Sequence, residues 1–485
     1  MTRTRPSRRE LLAGLGIGSA STLLWACGSR PSAVRSTRGV TSTSGEVRTW
    51  LRDAVARLAV AYPSVHALAV ARRRTTAAID VLGAGVARAR REGLVLTVRD
   101  REGLWREQVT SDLSQAGVLA AVRALVGTST RKATIDFGPP PAQPPAPPRF
   151  ADAELHDQLE TITERDKLDS RIVYAAAMID LDDANVWSIA PTHDREQRLV
   201  RVRKHVVRAA WNGTRPVVSE AERSWIGGLD DHALDVALVR RTSQRALELM
   251  TPGVLEARER TVILDPSLTA SLVDAIARAL LTTASTRRPD VGRALVAGTQ
   301  VAAPLVTLVD DPTVPTAYGG FVFDDEGDPA TPVTLVSAGR FMAVLSEHAG
   351  GGRGRGRRPG HTGRLEPAPS HLRLAPGTTA HAALGDEGLL LEEARTTIVE
   401  PGMSRVIIGA ARARELRGGQ QTGRVYGEVE LVGDLRTLLG AISGVSSDTN
   451  VSSYRDDRDG EPRWRSVEAP WVRTTGLVRL RRGFA

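Results

Sequence analysis

The sequence predicts an α+β protein, with an N-terminal α/β domain followed by a β-rich C-terminal domain that carries one strongly apolar helix. Three observations predict it. Amphipathic helical stretches are interspersed with extended segments over the first half, a proline-started helix signal stands at Asp265-Pro266-Ser267, and beyond Arg287 the composition turns to Gly, Thr and Val in short apolar runs. With 485 residues, 41% hydrophobic and 25% charged, the chain has material for two large domains and a sizeable core.

The residues before Glu46 read as an address rather than as fold. A basic start is followed by no charge from Leu11 to Ser29, and Gly14, Gly16 and Gly18 make the run too polar and short for a membrane-spanning helix. Ser7-Arg8-Arg9-Glu10-Leu11-Leu12 resembles the twin-arginine export signal, and Leu24-Trp25-Ala26-Cys27 resembles a bacterial lipobox in which Trp25 is atypical. This resemblance implies export to the periplasm or cell envelope, with Arg8 and Arg9 as the signal and Cys27 as the lipidation site that tethers the chain to a membrane. Residues 1–27 are then signal, and 28–45, rich in Ser, Thr, Gly and Arg, a flexible tether. A single cysteine excludes an intramolecular disulfide and any multi-thiolate metal site within one chain.

In the N-terminal domain, 46–228, Val47, Leu51, Val55 and Leu58 predict a helix over 46–61 that Pro63 stops. Strands are expected at 66–70, 94–99 and 104–110, the last two as a hairpin around Asp100-Arg101-Glu102-Gly103, and a helix at 114–126. The segment 138–148 holds seven prolines and reads as a stiff surface insertion. A helix at 152–162, extended segments 171–179 and 185–189 around a polar turn, and a long strand 199–211 complete this domain, which closes near Gly227-Gly228.

The C-terminal domain, 229–485, opens with a helical stretch 231–250 and a strand 261–264. After Asp265-Pro266-Ser267, the residues Leu268, Leu272, Ile276 and Leu280 form a core stripe at four-residue spacing. The stretch 349–363, with seven glycines and four arginines, reads as a solvated, mobile loop.

Charge and motifs exclude several functions. The net charge of +9 is carried by arginine, the only lysines being Lys132, Lys167 and Lys204, and the first ten residues supply +3 of it. With no basic helix and only 4% aromatic residues, nucleic acid is not an expected partner. No G-x-S-x-G elbow supports a serine hydrolase, and no Walker A segment supports a nucleotide site.

The run VILDPSLTASLVDAIARALL, followed by LVDDPTVPTAYGGFVFDDEGDPATPVTLVSAGRF, resembles the TldD/PmbA (TldD/TldE) metallopeptidase-related family. Leu374-Ala375-Pro376-Gly377 and Leu431-Val432-Gly433-Asp434-Leu435 also fit, and the likeness extends over roughly residues 46–475. It implies a two-part protein whose active members carry His-Glu-x-x-x-His on a C-terminal-domain helix. There the imidazoles hold zinc and the carboxylate takes a proton from bound water. Here the matching positions are Asp274, Ala275 and Ala279, and the late cysteine ligand is missing too. The resemblance therefore implies a degenerate, PmbA/TldE-like member with no catalytic or metal residue at this site and no cofactor, and Asp274 reads as a capping or surface residue.

Two other sets of residues remain as candidates. Asp310, Asp311, Asp324, Asp325 and Glu326 read either as a polar cleft or as two structural turns, with Gly327 at a backbone position that needs unusual dihedrals. No two of the nine histidines stand three or four apart, although His348, His361, His371 and His381 could converge from loops, and His193-Asp194 could join Asp324, Asp325 and Glu326; each reads first as a surface histidine. The leading expectation is an exported, non-catalytic subunit that binds peptide and pairs with a TldD-like subunit or with itself. An active metallopeptidase with a replacement zinc site and a cell-envelope scaffold are the alternatives.

Overall fold

The structure, a computed structural model, describes residues 43–481 except 81–82, 129, 140, 142–149, 164–168, 235, 349–353, 359–360, 401–404 and 459–460. Arg8, Arg9, Cys27, nearly all of the tether and most of the proline-rich segment lie outside the described residues.

The first described element is α1 (Ser44–Leu58), whose N-cap Thr43 forms a reciprocal capping box with Glu46. Strands β1 (Ser64–Asp80), β2 (Gly83–Arg99) and β3 (Trp105–Thr110) follow, then α2 (Gln115–Val126), α3 (Asp152–Thr163), β4 (Ile172–Ala190), β5 (His193–Trp211), β6 (Pro216–Ile226) and α4 (Val236–Glu248). The six strands form one antiparallel sheet in the order β3-β2-β1-β4-β5-β6. Side chains alternate across it. Val65, Ala67 and Ala69 of β1 pack with α1 and α2, Ala77 and Ile79 pack with α3 and α4, while Leu68 and Val70 meet Phe323 of the following domain.

Two expectations fail in this sheet. The strand expected at 66–70 runs to Asp80, through arginines and threonines with no apolar alternation. The polar turn expected between 179 and 185 does not form, because β4 runs straight through Asp180, Asp182 and Asp183. Cross-strand partners explain the second case: Asp180 accepts from Thr76 and pairs with Arg74 at 3.4 Å, and Asp183 pairs with Arg198 at 2.7 Å.

The second part contains β7 (Arg258–Leu264), α5 (Pro266–Leu280), α6 (Thr283–Thr286), α7 (Pro289–Ala294), β8 (Leu308–Asp310), β9 (Val333–Ser337) and β10 (Arg340–Phe341). It continues with β11 (Gly356–Arg357), β12 (Glu366–Pro367), β13 (His371–Leu374), β14 (Gly388–Val399), β15 (Val406–Arg417), β16 (Gln420–Gly433), α8 (Leu435–Gly440), β17 (Gly444–Arg458) and β18 (Glu461–Leu480). Its ten-stranded mixed sheet runs β10-β9-β8-β13-β18-β16-β15-β14-β7, with β17 on β18. Because β7 also pairs with β18, strands β18, β16, β15, β14 and β7 close on themselves. Helix α5 packs on β14, β17 and β18, and Leu268, Leu272, Val273, Ile276, Ala277 and Leu280 join the main core.

The two parts meet over an arginine-rich seam. Arg201 of β5 donates to the carbonyls of Tyr318 (2.8 Å) and Gly320 (3.0 Å), and the Arg72 and Arg201 guanidinium groups lie 4.5 and 4.4 Å from the Trp464 ring. Burial pulls Arg201 down to about 9.

The described residues of the Gly/Arg-rich stretch 349–363 do not form the solvated loop that its composition predicts. In its described portion Arg355, Arg357 and Arg358 are buried. Arg355 pairs with Asp310 and donates to the Thr331 carbonyl at 2.6 Å, while Arg358 pairs with Glu107 of β3. Arg357 faces Asp325 at 3.7 Å, so acids from three distant segments supply the partners that buried guanidinium groups require.

Candidate functional site

Helix α5 is placed by its N-cap. Asp265 Oδ1 accepts from the Leu268 N–H at 2.9 Å, and Oδ2 accepts from the Glu393 N–H at 2.9 Å. Glu393 has φ 65° and precedes a register shift in β14 between Ala394 and Thr397. The cap therefore ties the helix to a bulged strand, and the end of that strand passes beside α5, where the Ser271 hydroxyl donates to Thr397 Oγ1 at 2.8 Å.

One face of α5 presents Ala275, Arg278 and Ala279 to a cavity of about 560 Å³. Thr397, Ile398 and Val399 of β14 form a second wall, Glu366 to Pro369 a third, and Asp456, Arg463 and Arg465 of β17 and β18 a fourth. Two alanine methyls where longer side chains would project leave this volume open.

Asp274 is neither a cap nor a surface residue. It lies mid-helix with 3% of its surface exposed. Its Oδ1 accepts from Arg465 Nε at 2.8 Å and its Oδ2 from Arg278 Nε at 2.8 Å. A carboxylate on this apolar helix is tolerated because one guanidinium comes from the next turn and another from β18.

The residues at this site do not fit a zinc ion. Positions 274, 275 and 279 offer one carboxylate and two methyl groups, and both carboxylate oxygens are engaged by guanidinium groups. The other acids on the walls, Glu366 and Asp456, face Arg463 at 3.3 and 3.4 Å. Among the described residues, no histidine lines the cavity, and no group of three or more His, Cys, Asp or Glu is arranged to hold a metal.

The acidic pairs lie elsewhere and act as turns. Asp310 is fully buried, pairs with Arg355 and accepts from the Ser370 N–H and hydroxyl, both at 2.9 Å. Asp311 accepts from the Thr313 N–H at 3.0 Å. Asp324 accepts from the N–H groups of Glu326 (3.0 Å), Asp328 (2.9 Å) and Gly356 (2.9 Å), Asp325 from Arg358 N–H (2.6 Å), and Glu326 from His348 N–H (3.0 Å). Burial, with Glu326 and Asp325 nearby, pushes Asp324 up to about 7, and burial also raises Glu326. Gly327 has φ 87°, and a Cβ there would stand 2.3 Å from His193 Nε2.

The loop histidines do not converge. His348 joins Glu326 and Asp328, His361 bonds Ser111 (2.9 Å), His371 bonds Ser466 (2.9 Å) and His381 bonds Asp448 (2.9 Å). His361 and His371 are buried, against the expectation of surface positions. His193 does reach the Asp324–Asp328 turn, but Asp194 turns away to Arg48 and Arg52. His66 and His193 share the Ser188 hydroxyl at 2.8 and 2.9 Å, and burial lowers them to about 3 and about 4.

The sequence reading missed the basic half of the cavity. Arg278 stands four residues after Asp274 on the helix, and Arg463 and Arg465 alternate on a strand, so both spacings were present as signals. Nothing in the sequence indicated that β18 would bring its arginines to α5.

Residues 257–478 match the PmbA/TldA metallopeptidase C-terminal domain. This stretch contains α5, the cavity and the closed strands. The C-terminal part of the chain therefore carries a domain of the TldD/PmbA family. A metalloprotease of Methanocaldococcus jannaschii is 25% identical over 243 residues, which cover 48% of this chain and 53% of the relative, so the match spans about half the length of each. Three solved structures share the fold. A Thermotoga maritima protein named as a candidate modulator of a DNA gyrase superposes with a TM-score of 0.73 at 16% identity, covering 90% of this chain and all of the other. A Bacteroides thetaiotaomicron protein named in the same way gives 0.71 at 13% identity, covering 90% and 99%. TldE from Thermococcus kodakarensis gives 0.70 at 15% identity, covering 89% and 100%.

Proposed function

We propose that this chain, with its TldD/PmbA-family domain, is a non-catalytic, peptide-binding and complex-forming subunit, exported through its Arg8-Arg9 signal and held at the cell envelope by Cys27. The observation that carries this reading is the α5 face. Where active relatives would need two imidazoles and a base, there stand an aspartate locked between two arginines and two alanines beside an open cavity. A pocket of this size with mixed apolar and polar walls is suited to binding and lacks a group placed to activate water. The similarity to TldE supports a TldD-like subunit as partner, with homodimerisation as the other assembly. Native mass spectrometry of the exported protein, alone and co-expressed with a TldD-like subunit from the same cell, tests it. A defined dimer or heteromer that takes up peptide without cleaving it is expected; a persistent monomer with no peptide affinity, or zinc-dependent cleavage, rejects the reading.

A further inference from the structure

The cavity beside α5 has more hydrogen-bond donors than acceptors. Four guanidinium groups line it: Arg278, Arg288, Arg463 and Arg465. Each presents five N–H bonds and accepts none. Arg463 is only 6% exposed, and its Nη1 and Nη2 contacts to Glu366 and Asp456 are long at 3.3 and 3.4 Å. A buried guanidinium left in this condition is costly, because the donors have given up water without a full replacement. Arg278 engages Asp274 through Nε and remains 46% exposed at the cavity rim.

The charge balance restricts what the missing acceptor can be. Glu366 and Asp456 are in the walls, Asp274 pairs with Arg465 and Arg278, and Asp290 meets Arg288 at 2.9 Å. Four carboxylates thus face four guanidinium groups, leaving no net excess to hold a polyanion. A single carboxylate, planar and bidentate, matches a guanidinium donor edge without demanding such an excess. The apolar surface of Ala275, Ala279 and Ile398 gives the rest of a short chain somewhere to lie, which a bare inorganic anion would not use.

We propose that the cavity is a carboxylate-recognition site for a peptide, with Arg463 and Arg278 donating to the carboxylate. This rests on the peptide-binding reading above and specifies the group it recognises. The carboxylate comes from a chain terminus or from an aspartate side chain, and the probes separate the two.

The test uses fluorescence anisotropy on the mature protein with three N-terminally fluorescein-labelled probes: tetra-alanine with a free α-carboxylate, its C-terminal amide, and Ala-Ala-Asp-Ala amide. Binding of the free acid about tenfold or more tighter than the first amide is expected, with Arg278→Gln reducing that preference. If the aspartate-containing amide recovers the affinity instead, the carboxylate site stands and the side chain is its source. Arg463→Met, checked for folding by circular dichroism, is the second variant, and Arg278→Gln at the rim serves alone if it does not fold. Equal binding of all three probes overturns carboxylate recognition but leaves peptide binding intact. No binding of any probe overturns both.

Discussion

Asp310 and Asp274 are both buried, both lean on arginine, and differ in what lies beside them. Asp310 sits in a closed knot where Arg355, the Ser370 N–H and the Ser370 hydroxyl fill its oxygens. Asp274 is held by Arg465 and Arg278 on a helix face that opens onto a cavity, where the neighbouring Arg463 makes only long contacts, 3.3 and 3.4 Å, to Glu366 and Asp456. The same ion-pair chemistry holds the fold together at one place and leaves recognition capacity at the other. Completeness of hydrogen bonding distinguishes them better than charge does.

The largest effect expected of this comparison is Asp310→Ala. It strands Arg355 in the interior and should cost about 3–5 kcal/mol in chemical denaturation. Asp274→Ala should cost less, about 2 kcal/mol, because the released Arg465 borders space that water can enter. An equal or larger loss for Asp274 would erase the distinction between the two sites.

A third test concerns pH. Asp324 is raised from 3.8 to about 7 in the fold, so its contribution is fully present below pH 4 and is lost as pH rises towards 7. His66 and His193 are lowered from 6.5 to about 3 and about 4, so their contribution is present above 6.5 and is lost as pH falls through those values. Over pH 4 to 7 these trends oppose each other. Asp324→Asn should therefore steepen the gain in stability between pH 4.5 and 7, and an unchanged slope in denaturant titrations would remove Asp324 from the account. The smallest effect is expected from Arg278→Gln, whose half-exposed guanidinium should change stability by less than about 1 kcal/mol even while it alters ligand binding.

Local signals sufficed for the elements that obey local rules. Helix α1, from its apolar stripe, and α5, from Asp265 and Pro266, were readable within a residue or three. The long strands were not, because β1 and β4 run through Arg72, Arg74, Asp180 and Asp182, residues that favour turns or solvent until a neighbouring strand supplies opposite charge. The Gly/Arg-rich stretch misled for the same reason. Arg355, Arg357 and Arg358 look solvated in sequence and are buried only because Glu107, Asp310 and Asp325 approach from elsewhere.

The sequence by itself determined the α+β class, the apolar helix that begins at Asp265, and the Asp274, Ala275 and Ala279 positions that do not fit a zinc-peptidase motif. The first two follow from composition and 3.6-residue periodicity, and the third from the residues that stand where the family resemblance places the motif; none needs knowledge of contacts. Only the tertiary structure decided that Asp274 is an ion-paired interior group, that the Asp310 and Asp324 turns are separate from the cavity, and that Arg463 and Arg465 of β18 face the helix. Those outcomes depend on pairing between segments up to 191 residues apart. The free energy of a buried charge is set by the partner that arrives there, and periodicity along one segment carries no information about that partner.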